Sequence, residues 1–156
     1  MLLFDLKSEF QTIHRRSFEL ATPAILNPNN ANPLILGEFL QLDANYKMAR
    51  GSADGTVPAF CYFAEQGRYE TQAIGKGPFL YGGFYEADTK VMDATLEATI
   101  TAVGQKLMVN DVTIGGLTRR GLSALPGAPA GTEYVVGYVT RLPANNNGFL
   151  RFIRIM

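Results

Sequence analysis

The sequence predicts an all-β protein, a small β-barrel or sandwich with an extended N-terminal arm. Three observations carry this. Short stretches rich in β-branched and aromatic residues recur along the chain. Clusters of Gly, Pro and Asn punctuate them at regular spacing. The chain also ends on two such stretches, 132–141 and 149–156, joined by the turn formers Leu142-Pro-Ala-Asn-Asn-Asn-Gly148. Strand side chains alternate between faces, so Tyr134, Val136 and Tyr138 share one face and Val135 and Val139 the other. In the last stretch Leu150, Phe152 and Arg154 oppose Arg151, Ile153 and Ile155. So apolar a terminal strand must be paired and covered, because a free edge of that kind aggregates. It reads as a closing hairpin that the remaining strands receive.

Residues 1–31 differ from the rest. Leu3, Leu6, Phe10 and Ile13 would share a helical face, while 10–18 is equally readable as an extended, half-buried segment. Residues 27–33 hold two prolines and four asparagines, and each proline pushes its predecessor to extended geometry. The chain therefore divides into an N-terminal arm, 1–31, and a body, 32–156. The alternative is that the arm is the body's first strand followed by a long loop.

In the body, 34–42 reads as a strand, with Gly37 a bulge site, and Asp43-Ala-Asn45 turns it into 46–50. Residues 57–64 and 68–74 form a hairpin around Glu65-Gln-Gly67. Residues 78–85 are an aromatic strand interrupted by Gly82-Gly83. Residues 94–101 alternate as a strand would, and a short helix fits them as well. Residues 105–109 and 112–114 are short strands, and 117–125 leads through Pro126-Gly-Ala-Pro-Ala-Gly131 into the closing hairpin. No fixed-period repeat is present.

Composition narrows the function classes. At 156 residues the chain suits one compact domain, and a domain of about 150 residues buries roughly 70% of its unfolded surface. Fourteen basic residues balance fourteen acidic ones, so no overall field draws nucleic acid or an acidic membrane. Charged residues make up 18%, below the usual quarter or so, which points to a surface partly covered by other protein. The single Cys61 has no internal disulfide partner and reads as a small buried residue of a strand. Met1-Leu-Leu-Phe meets Asp5 at once, without a signal-peptide core, and no apolar run has the length of a membrane helix. A cytosolic origin is expected.

The residues offer no catalytic constellation. His14, the one histidine, lies beside Arg15-Arg16 with no acidic residue at metal-ligand spacing. Gly75-Lys-Gly77 opens no helix and is neither a phosphate-binding nor a dinucleotide motif. Glu65, Glu70, Glu86 and Asp88 could approach one another on adjacent strands, as glycoside hydrolysis would require, but hairpin edges carry carboxylates routinely. Arg15-Arg16 and Arg119-Arg120 are too short for a nucleic-acid footprint. They suit the carboxylates of a partner protein, which a guanidinium pairs in bidentate fashion.

From Pro33 onward the strand rhythm resembles that of the head decoration, or cement, proteins of tailed bacteriophages. The residues behind this are Asn32-Pro-Leu-Ile-Leu-Gly-Glu-Phe-Leu-Gln-Leu42, Ala64-Glu-Gln-Gly-Arg-Tyr-Glu70, Gly104-Gln-Lys-Leu-Met-Val109, Val136-Gly-Tyr-Val-Thr-Arg141 and Gly148-Phe-Leu-Arg-Phe-Ile-Arg154. The resemblance covers roughly the C-terminal four fifths, as a rhythm of strands and loops. It implies a non-enzymatic viral structural protein without cofactor or metal. Such a protein is assembled in the host cytoplasm and sits on the capsid surface of the virion. It bridges neighbouring major capsid proteins, forms dimers or trimers, and contacts neither nucleic acid nor membrane. Other phage parts (a head-to-tail connector, a tail or baseplate protein) and a small ligand-binding or catalytic β-barrel are the competing readings.

The arm would then be the partner-binding element. Ordering twenty to thirty residues costs on the order of 1–2 kcal/mol each, against about 25 cal/mol returned per Å² of buried apolar surface. That demands well over a thousand Å² by the same coefficient, more than a small body offers. Phe4, Leu6, Phe10, Ile13 and Phe18 are the expected apolar anchors on a neighbour, with Arg15 and Arg16 for its carboxylates. The extended backbone could add to a neighbour's sheet edge.

Overall fold

The computed structural model describes residues 4–9, 14–51, 58–63, 75–93, 102–125 and 134–154. Almost all regular structure is strand. Along the chain these are β1 (Phe4–Glu9), β2 (His14–Glu19), β3 (Phe39–Leu42), β4 (Met48–Ala49), β5 (Ala59–Tyr62) and β6 (Lys76–Gly82). Then follow β7 (Tyr85–Thr89), β8 (Lys106–Ile114), β9 (Leu117–Ala124), β10 (Gly137–Arg141) and β11 (Leu150–Arg154). They form two antiparallel sheets, six-stranded in the order β1-β7-β11-β10-β8-β9 and five-stranded in the order β2-β6-β5-β3-β4.

Each sheet curls until its far strands meet the chain again. In the six-stranded sheet the residues just past β7 reach β9: Met92 bridges Leu122, and the Leu122 N–H donates to the Val91 carbonyl at 2.9 Å. In the other, Leu20 at the end of β2 bridges Met48 of β4, and the Ala21 N–H donates to the Met48 carbonyl at 2.9 Å. These bridges occupy part of the outer edges of β9 and β4, which would otherwise offer unpaired backbone to other chains.

Alternation along the strands builds two cores. Phe39, Cys61 and Leu80 of the five-stranded sheet join Phe4, Tyr85, Val139, Leu150 and Phe152 of the six-stranded one. Phe152 is central, with the rings of Phe39, Tyr85 and Phe4 at 6.3, 6.3 and 6.4 Å, the spacing of favourable edge-on pairs. The next residues along β3 and β6, Leu40 and Phe79, point the other way into a second core with Leu20, Ile25 and Met48. A short 3-10 helix, Pro23–Leu26, delivers Ile25 to it. The five-stranded sheet is therefore covered on both faces.

The closing hairpin forms as expected: β10 pairs with β11, and β11 continues the sheet onto β7. Three expectations change. Residues 78–85 are not one interrupted strand. The chain breaks at Gly82-Gly83, leaving β6 in one sheet and starting β7 in the other. Residues 105–109 and 112–114 are one strand, β8, which runs through Asn110 and Asp111 and turns into β9 at Gly115-Gly116, both at positive φ. Two such residues are what a tight hairpin of the right twist needs. The strand expected over 34–42 starts only at Phe39, after a turn in which Gly37 has φ +87°. The expected strands over 68–74 and 94–101 lie outside the described residues.

The described N-terminal residues are extended, and they belong to both sheets. β1 pairs with β7, and β2 pairs with β6. Both described strands of the expected arm, 1–31, thus pair with strands of the expected body, 32–156. Within this segment Phe4 is buried in the chain's own core, 1% exposed. Phe4→Ala is expected to lower stability by about 3–5 kcal/mol, as for a truncated core aromatic, measured by urea denaturation. A segment detached from the body in solution would leave the midpoint unmoved.

Candidate interaction surface

The residues expected to anchor a partner divide by environment. Phe4 lies in the core and Leu6 is half-buried against it. Phe10 and Ile13 lie outside the described residues. Arg15 stands opposite Leu80 in the register of β2 and β6. Arg16 is exposed, its guanidinium 5.4 Å from the ring of Phe18. Phe18 is half-buried and stacked on Phe60 at 5.8 Å, with the ring of Tyr81 edge-on at 6.0 Å. Of the expected anchors whose side chains are described, Arg16 is the exposed one.

Arg119 and Arg120, read as partner-facing, turn inward instead. They alternate sides of β9, yet both are buried. The reason is Glu38, fully buried at the start of β3 in the other sheet. Arg50 clamps it in bidentate fashion, Nε to Oε1 at 2.6 Å and one Nη to Oε2 at 3.1 Å. Arg119 brings a second guanidinium to 3.6 Å of Oε2 and donates to the Pro33 carbonyl. Arg50 also donates to the carbonyls of Asn32 and Pro33 at 2.8 and 3.0 Å. Arg120 donates to Asp111 at 3.0 Å and to Gln41 of β3 at 3.4 Å. Burial lowers the Arg119 pKa, Glu38 opposes that, and the neighbouring Arg50 charge adds to the lowering. One carboxylate thus ties the 32–50 segment to β9 across the sheets.

Arg154, the last residue of the core-facing row of β11 counted from Leu150, is buried as well. Its Nη2 donates to the Ala59 carbonyl at 2.6 Å, and its guanidinium lies 5.7 Å from the ring centre of Phe39. Beside it, burial pushes the Cys61 thiol up to about 12, with the Arg154 charge acting the other way. Burial likewise raises the Tyr85 phenol. Cys61 is the buried small residue the sequence suggested, and a protonated thiol is a poor nucleophile.

On the outside, β1, β7, β11 and the loop after β10 surround a cleft of about 390 Å³ lined by Asp5, Lys7, Asp88, Asn146, Asn147, Phe149 and Arg151. Asp88 organises it. Arg151 grips its two oxygens at 2.7 and 3.0 Å, Asn146 donates to it at 3.0 Å, and Lys7 lies 3.6 Å away. Burial would raise the Asp88 carboxyl, but the hydrogen bonds from Arg151 and Asn146 and the charges of Arg151 and Lys7 outweigh it and hold the pKa below the usual value. Glu86, two residues earlier, accepts from the Thr140 hydroxyl at 3.0 Å. Glu65 and Glu70 lie outside the described residues. Among the described residues no group of three or more His, Cys, Asp and Glu is placed to hold a metal ion.

The other accessible feature is the turn between β3 and β4. The Asp43 carboxylate accepts from the N–H groups of Asn45 and Lys47 at 2.8 and 2.9 Å. The backbone closes with the Asp43 N–H on the Lys47 carbonyl and the Tyr46 N–H on the Asp43 carbonyl, at 2.8 and 3.0 Å. Sequence reasoning found the turn and missed its tip, Tyr46. The available signal was a bulky residue where the turn chemistry favours Gly or Asn. It also missed Glu38 and Asp88 as organising carboxylates, because pairing between distant residues leaves no local pattern. Comparison with family models, with curated proteins and with solved structures finds no match for the chain.

Glu38→Gln is expected to cost about 3–5 kcal/mol, since it leaves buried guanidinium groups uncompensated; urea denaturation at neutral pH measures it, and a loss under 1 kcal/mol would contradict the pairing. Because Asp88 is held below its unfolded pKa, the unfolded chain binds the extra proton first as pH falls. The stabilisation is therefore complete above the ordinary carboxylate pKa and declines as pH falls through the folded value. Asp88→Asn should flatten this acid limb in a series of denaturation midpoints from pH 7 downward, and an unchanged limb would count against it.

Proposed function

We propose that this chain is a non-enzymatic structural protein of a tailed phage, a decoration or cement protein on the outer capsid surface of the virion that bridges neighbouring major capsid proteins and stabilises the head. The observation that carries this reading is how the interior is filled. Phe4, Phe39, Leu80, Tyr85, Val139 and Phe152 occupy the space between the sheets, where a ligand-binding barrel would hold a cavity with convergent polar groups. The buried Glu38 carboxylate is paired by Arg50 within its own sheet and by Arg119 from the other. Such a body suits a part that keeps its shape while its outer surface meets other proteins.

Assembly supplies the rest of the mechanism. A subunit repeated over a symmetric shell, as a dimer or trimer, gains avidity from many modest contacts, so no single contact needs great strength. The resemblance in the strand rhythm from Pro33 onward supports the same reading. No cofactor enters it, nor does contact with nucleic acid or membrane.

Co-sedimentation with phage heads stripped of their decoration tests it. The chain is expected to pellet with heads to saturation and to raise the temperature at which they release DNA. Pelleting with isolated tails or connectors, and not with heads, would move the protein elsewhere on the particle. Binding to neither would overturn the structural reading.

A further inference from the structure

Resting on that reading, we infer that Tyr46 is the anchor by which the chain grips the shell protein, its ring entering a shallow apolar pocket with an acceptor for the phenol. Three observations meet at this residue. Its side chain is 83% exposed, where the other exposed large hydrophobic among the described residues is Val103. Its backbone sits at φ +59°, a left-handed conformation that is a genuine outlier for a bulky residue. The turn that imposes this is held by four hydrogen bonds converging on Asp43, two to its carboxylate and two to its backbone.

Residues kept in such conformations cluster where function requires them. The fold gains nothing evident from this tyrosine: its ring is in solvent, and glycine would suit the backbone better. A partner would gain much. Tyrosine is enriched among interface residues that dominate binding, since it offers a large, rigid contact and a hydrogen-bonding tip. A turn whose backbone is already fixed by its own hydrogen bonds leaves less to be ordered on docking than a flexible loop would. The flank matters too. Lys47 and Glu19 pair at 3.6 Å beside the turn, each about half exposed, and the Asp43 carboxylate is engaged by the turn's own N–H groups. The charges around the ring thus already have partners, and an apolar pocket suits it better than a charged one.

The test uses the full chain with Tyr46→Ala, Tyr46→Gly and Tyr46→Phe, read by thermal denaturation, sedimentation velocity and binding to stripped heads. Tyr46→Ala and Tyr46→Gly are expected to weaken head binding at least tenfold without loss of fold, with the glycine variant melting at or above the wild type. Tyr46→Phe should fall between them and the wild type. Full binding by the alanine and glycine variants, when the wild type binds, overturns the anchor and leaves the proposed function standing. A wild type that binds no heads overturns both. If the wild type self-associates and the alanine variant does not, while head binding is retained, the anchor serves a second copy of this chain and its assignment to the shell is overturned.

Discussion

A single buried carboxylate sets the relation between the two sheets. Glu38 lies at the start of β3, and its oxygens meet Arg50 from its own sheet and Arg119 from the other. Ion pairs in such places are weak evidence of net stability, because dehydrating the charges offsets much of their attraction. Their effect is selective. A slip of β9 by one residue would carry Arg119 to the opposite side of its strand, stranding Glu38 without its second cation. The apolar core between the sheets is packed in the same register that these charges satisfy. Arg154 acts in the same sense from β11, reaching the Ala59 carbonyl of β5.

This arrangement takes several charged groups out of reach of partners. Arg119, Arg120 and Arg154 are all buried, and Arg151 and Lys7 attend Asp88 at the cleft. Among the described residues, Tyr46 of the Asp43–Lys47 turn and Arg16 of β2 are exposed. On the proposed reading, a well-packed body with a few exposed contacts suits an assembly, where many weak attachments act together. Closure of both sheets by the Leu20–Met48 and Met92–Leu122 bridges serves the same end, since it limits the edges available for uncontrolled strand addition.

The fold class was legible because strand alternation and turn chemistry are local. The hairpin of β10 and β11 could be read from β-branched residues on either side of Asn145-Asn-Asn-Gly148, and the turn at Asp43 from its own side chain. Partition between two sheets was not legible. Nothing in the sequence distinguishes Gly82-Gly83 as a passage from one sheet to the other from the same pair as a bulge within one strand. The N-terminal segment was ambiguous for a related reason. Phe4 would anchor equally well to a neighbour or to Phe152, and only the assembled fold decides. The arginines misled for a third reason. Adjacent Arg119 and Arg120 look like an exposed pair until a carboxylate eighty residues away is placed beside them.

Native-state hydrogen exchange addresses the central claim, that the two sheets and their shared charges form one rigid unit. The amides of Leu40 in β3 and of Val109 in β8 are expected to exchange with the same opening free energy, equal to that of global unfolding. Exchange of one sheet through a separate, lower-energy opening, with the other still protected, would contradict it.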